Sequence, residues 1–201
     1  MNLIFLVLLF VIPLSSAGKP DKERKKHEKQ ANIEFYKDLL GKINSIRAGN
    51  DVLFATRNKI ISEIEQSIND KEDSTVIQNK ITDGVKEYKS KASLSKILFK
   101  AANSLIEAKL VTINDHKKRN ELLQIKDDIV GSENTINDMD ASDFIRITGK
   151  LYQLISVPEE ERNEVEIIME LSSLKLLIHN RIFLIQADSA AKKISKILSK
   201  K

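Results

Sequence analysis

The sequence has no cysteine and no tryptophan, only three prolines and six glycines, and just 5% aromatic residues among its 201 positions. Without cysteine there can be no disulfide, no thiol nucleophile and no thiolate zinc site. Histidine is scarce as well. His27, His116 and His179 lie far apart and none belongs to an H-E-x-x-H pair, which argues against zinc. No phosphate-binding glycine loop, dinucleotide-binding glycine motif or G-x-S-x-G nucleophile elbow occurs. Asp138, Asp140 and Asp143 resemble the start of a calcium loop, but Asp143 stands where the loop needs glycine and Gly149 where it needs glutamate. The expectation is a protein without catalytic residues, metal or cofactor.

One sign of charge is in only slight excess. The formal net charge is +4 in a chain that is 31% charged, which speaks to solubility more than to a partner. No basic stripe carries interleaved aromatics for base stacking, so nucleic-acid binding is not expected. Long apolar runs are missing too. Leu3–Ile12 is the longest, and its ten residues fall well short of the roughly 20 that a membrane-spanning helix needs, so stable transmembrane anchoring is not expected.

That run is followed by Pro13 and by Ser15 and Ala17, small residues at the −3 and −1 positions of a cleavage site, and then by dense charge from Lys19. This is the layout of a secretory signal peptide over residues 1–17, cut between Ala17 and Gly18, and it predicts a secreted, extracellular protein. The mature chain would have 184 residues, enough for one domain with a sizeable core. Residues 18–27 mix lysine, arginine, aspartate and glutamate and predict a disordered, solvated segment; 28–201 predict the domain.

What the chain has in quantity is apolar residues at helical spacing. The stripes Tyr36–Leu39–Leu40–Ile43–Ile46, Phe54–Ile61–Ile64–Ile68, Ile77–Ile81–Val85–Tyr88, Leu94–Ile97–Leu98–Ala101–Leu105, Leu122–Ile125–Ile129 and Phe144–Ile147–Leu151–Leu154–Ile155 each mark a helix. Gly49 and Gly131 stand at expected helix ends, and Thr75–Gln78 and Ser156–Glu159 have capping-box spacing. No short β-branched run is bracketed by turns. The prediction is an all-α fold: a single bundle-like domain of six or seven amphipathic helices.

The last long helix, from Pro158 to about Asp188, stands out. Ile167, Leu171, Leu174, Ile178, Ile182 and Ile185 form an aliphatic stripe, while Leu176, Leu177, Phe183 and Leu184 lie off it. A helix apolar on more than one side is usually buried, so this stripe is expected to be the core of the bundle. Beyond Gln186 the apolar face rotates, which predicts a segment that either bends or emerges from the bundle on a different face. The final segment sets Ile194, Ile197 and Leu198 beside Lys192, Lys193, Lys196 and Lys200, residues suited to contact with an anionic membrane or lipid.

Two function classes follow. One is a secreted, non-enzymatic carrier of lipid or another apolar ligand, held between helices. The alternative is a secreted protein–protein interaction factor, of effector or immune type, without a small-molecule ligand. A membrane-active protein working through the cationic C-terminal helix is a third.

Overall fold

A computed structural model of the chain describes residues 21–138 and 141–200. Five α-helices account for nearly all of them: α1 Asp21–Asn69, α2 Ser74–Thr112, α3 His116–Asp138, α4 Ala141–Ser156 and α5 Glu159–Ser199. Among the described residues there is no strand, so the all-α expectation holds. Among the described residues the helix count is five where six or seven were expected. The signal-peptide residues 1–17 and the Ala17–Gly18 cleavage position lie outside the described residues. The chain divides into two compact units, one ending at Phe35 and one running from Tyr36 to Lys201. In the first, the charge run expected to be disordered is helical from Asp21 onward, and its side chains from Lys22 are exposed.

The helices are fewer and longer because positions expected to end them sit inside them. Gly49 lies within α1, where an added Cβ would be 3.4 Å from Leu98 Cδ1 and 3.6 Å from Ser95 Oγ. Gly131 lies within α3, where a Cβ would stand 2.6 Å from Gln186 Nε2. Glycine at these points lets a neighbouring helix approach, which outweighs its cost of about 1 kcal/mol in a helix interior. Residues 90–95, between the Ile77–Tyr88 and Leu94–Leu105 stripes, continue α2 without interruption. The bend expected near Gln186 is likewise absent, and α5 runs unbroken to Ser199.

In the second unit the helices pack as an antiparallel bundle. Lys80 Nζ donates to Ser67 Oγ and Glu72 Oε2, both at 2.7 Å, joining the end of α1 to the start of α2. Lys126 of α3 pairs with Glu107 of α2, and Arg119 Nη1 donates to the Leu110 carbonyl at 2.7 Å. Lys193 of α5 reaches Asp128 of α3 at 2.6 Å, and Arg47 of α1 reaches Asp188 of α5 at 2.7 Å. Between the helices Leu39, Ile43, Ile64, Ile77, Ile106, Leu122, Ile125 and Ile147 are buried. Tyr88 stacks on Phe144 with ring centroids 4.5 Å apart, and Phe99 meets Phe183 edge-on at 6.3 Å.

The turns are closed by local chemistry. After α1, Lys71 adopts a left-handed φ of 55°. Glu72 N–H donates to the Ser67 carbonyl and Lys71 N–H to the Ile68 carbonyl, the paired bonds of a Schellman end. The cap of α2 is Asp73, whose carboxylate accepts from Thr75 N–H at 2.8 Å, rather than the expected Thr75. Asp115 accepts from Lys117 and Lys118 N–H at 2.9 and 3.2 Å to start α3. Ser156 ends α4, and Pro158 precedes α5 without a side-chain cap; the side chains of the expected Ser156–Glu159 box lie outside the described residues.

These caps predict an acid-sensitive term. Backbone N–H donors, Thr75 for Asp73 and Lys118 first for Asp115, hold both carboxyl groups below their ordinary value of 3.8. A depressed folded-state pKa stabilises above the unfolded value, and the effect is lost as pH falls through the folded one. Asp73→Ala and Asp115→Ala should therefore lower the unfolding midpoint at pH 7, with the gap to wild type narrowing as pH falls past the ordinary aspartate value of 3.8. Midpoints measured by circular dichroism across that range check this; a gap independent of pH would refute it.

Candidate functional site

The helix α5 is amphipathic in the opposite sense from that expected. Val165, Ser172, Leu176, Phe183, Ala187, Ala190 and Ile194 are buried and recur at spacings of three, four and seven residues. The stripe Ile167, Leu171, Leu174, Ile178, Ile182 and Ile185, expected in the core, faces outward, with exposures from 41% to 62%. The reason lies in close packing. The face that meets the neighbours combines one large ring, Phe183, with small Ser172, Ala187 and Ala190, which let α1, α3 and α4 come near. Ser172 Oγ accepts from Arg146 Nε and Nη2 of α4 at 3.1 and 2.9 Å, so its polar group is satisfied on the buried side. A bulkier stripe of branched aliphatics would hold those helices apart.

The result is a ridge of large aliphatic side chains about 27 Å long, at 1.5 Å per residue from Ile167 to Ile185. Leu177, also half-exposed, extends it sideways toward α1. Exposed charges frame it. Glu160 and Glu164 precede its N-terminal end, Lys192 and Lys196 follow its C-terminal end, and Glu170 and Arg181 stand along one edge.

At the Leu177 side lies a groove of about 280 Å³ between α1 and α5. Ile61, Leu176 and Leu177 supply its apolar lining and Arg57, Asn58 and Glu65 its polar one. Arg57 is only 5% exposed. Its Nε and Nη2 donate to Asn58 Oδ1 at 3.2 and 2.9 Å, and its guanidinium lies 4.3 Å from the centre of the Phe54 ring. Its Nη1 has no acceptor among the described residues. Burial lowers its pKa, and Tyr88 opposes that shift. A buried cation held by an amide and a ring face, with no carboxylate bonded to it among the described residues, is a site that helical periodicity does not mark. Its signal in the sequence is weak, because Arg57 stands among Thr56, Asn58 and Lys59 and reads as part of a polar face.

Other expected site residues fall elsewhere. Ile194, expected to touch lipid, is fully buried, because the last turns of α5 pack against α3. Ile197 and Leu198 are partly buried, and Lys193 is engaged with Asp128. Lys192, Lys196 and Lys200 are exposed. The segment is a docked terminal helix in this fold. His179 is half-buried, with an Nδ1 that has no hydrogen-bond partner among the described residues. Its neighbour Asn180 accepts from Asn50 Nδ2 at 2.8 Å, tying α5 to α1. Among the described residues no cluster of three His, Asp or Glu is placed to hold a metal ion, and no helix is long and apolar enough to cross a membrane. No family model, no curated protein and no solved structure matches this chain.

Proposed function

We propose that this chain is a secreted, non-enzymatic helical binding protein that engages a partner by helix-on-helix packing along the outward ridge of α5. The ridge is the observation that carries the reading. Single exposed aliphatics are ordinary on a protein surface, whereas a continuous apolar patch marks a place where something docks. Aliphatics at successive three- and four-residue spacings are the pattern by which one helix seats on another. Secretion rests on Leu3–Ile12 and the small residues before Gly18; the non-enzymatic part rests on the missing catalytic motifs.

A second reading, a carrier of lipid or another apolar ligand, is favoured by the groove at Arg57. There a buried guanidinium with an unpaired Nη1 adjoins Ile61, Leu176 and Leu177, which suits an anionic head group on an apolar tail.

The triple variant Leu171→Lys, Leu174→Lys, Ile178→Lys tests the first reading. It should lose most of the fluorescence enhancement that an apolar dye gains with the wild type. Its helical circular dichroism and unfolding midpoint should hold, since surface substitutions cost about 0.5 kcal/mol or less each. An unfolded variant would mean that these side chains form a core, and the reading would fail. Binding of a fluorescent fatty acid that survives the triple variant but is lost in Arg57→Met would move the assignment to the carrier.

A further inference from the structure

We propose that the partner on the α5 ridge is a second copy of this chain, with the two α5 helices antiparallel across a two-fold axis near residues 174–178. The proposal rests on the reading of the ridge as a docking surface and adds the identity of the occupant.

The ridge is apolar in the middle and oppositely charged at its ends. Glu160 and Glu164 stand before Ile167, and Lys192 and Lys196 after Ile185, all of them exposed. Reversing a second copy over the first about the ridge midpoint sets Ile167 opposite Ile185 and Leu174 opposite Ile178. The same reversal sets Glu160 opposite Lys192. Glu170 and Arg181 lie on one edge of the ridge, about three turns apart, so reversal also brings Glu170 of each copy beside Arg181 of the other. A parallel pairing would instead oppose glutamate to glutamate and lysine to lysine at the two ends. The aliphatic contact supplies the affinity, and the charges select the orientation. The contact is one helix wide, so the dimer is reversible. Axes 8–10 Å apart leave room for interleaved leucine and isoleucine side chains.

The cysteine-free chain makes the test direct. Under mild oxidation, Ile167→Cys alone and Ile185→Cys alone should give little covalent dimer, because like positions lie about 27 Å apart along the axis. A mixture of the two should give abundant covalent dimer. Sedimentation equilibrium should show a monomer–dimer equilibrium, weakened at least about 100-fold by Leu171→Lys, Leu174→Lys, Ile178→Lys as the apolar contact is removed. Lys192→Glu should weaken it by about two- to five-fold, and Glu160→Lys in the same chain should restore it. Efficient self-crosslinking of each single variant would mean a parallel pairing and overturn the proposal. So would a chain that stays monomeric at every concentration. If that monomer still binds the apolar dye through the ridge, the docking-surface reading stands and the second-copy proposal alone fails. If the triple variant alters neither dye binding nor mass, both fail.

Discussion

Phe183→Ala is expected to cost about 3–5 kcal/mol of unfolding free energy, and Ile182→Ala, one residue away, about 0.5 kcal/mol or less. Phe183 is fully buried and meets Phe99 edge-on across the core, so its truncation leaves a cavity walled by rigid neighbours. Ile182 is 41% exposed on the outward ridge, and alanine is the better helix former. A domain's whole stability is about 5–15 kcal/mol, so the first variant loses a large share of it. Urea denaturation of both variants, compared at equal m-value, reads the difference directly. The reverse order of effects would place the Ile167–Ile185 stripe in the core and return the ridge to the interior.

Gly84→Ala should destabilise the protein although alanine is favoured over glycine by about 1 kcal/mol in a helix. A Cβ at this position would lie 2.4 Å from Ile60 Cγ2, closer than atoms can pack. Ile60 is buried and β-branched, so it cannot swing aside within α1. Overpacking of this kind costs about 1–3 kcal/mol, enough to cancel or exceed the helix-propensity gain. Gly41→Ala is the control: nothing lies within 4 Å of its Cβ position, and it should stabilise by about 0.5–1 kcal/mol. In an Ile60→Ala background the clash disappears, and Gly84→Ala should become stabilising. Thermal or urea unfolding of the four-member cycle measures the coupling; additive effects would mean that α1 and α2 do not meet at these residues.

Much of the fold was legible in the residues. Where a helix has only one apolar face, that face was identified: Tyr36, Leu39, Ile43 and Ile46; Leu122, Ile125 and Ile129; and Phe144, Ile147 and Leu151 are all buried. Where a helix has two, hydropathy favours the bulkier aliphatic face and the bundle buries the other. That happened on α5 and again on α2, where Leu94 and Ile97 are exposed while Ala92, Ser95, Phe99, Ala102 and Ile106 are inside. Both buried faces contain serine, which a hydropathy pattern counts as outward. A helical serine or threonine, however, satisfies its hydroxyl on the carbonyl one turn back, as Ser67 does on Glu63, Ser132 on Asp128 and Thr148 on Phe144. It is also small enough to let a neighbouring helix close in. The glycines misled in the same way, because a helix end and a helix crossing both call for a residue without Cβ. The groove at Arg57 was invisible because its walls come from helices more than a hundred residues apart in the chain.

The scarcity of breakers and the 3.6-residue periodicity decide by themselves that this chain is helical, because they act within a few residues of one another. Which face of each long helix turns inward is decided only when the helices meet. Closeness of approach is a property of two surfaces, and here it selected Phe183 among Ser172, Ala187 and Ala190 over the more hydrophobic stripe beside it. That choice leaves Ile167–Ile185 on the outside, and the ridge it creates is the feature on which the proposed function rests.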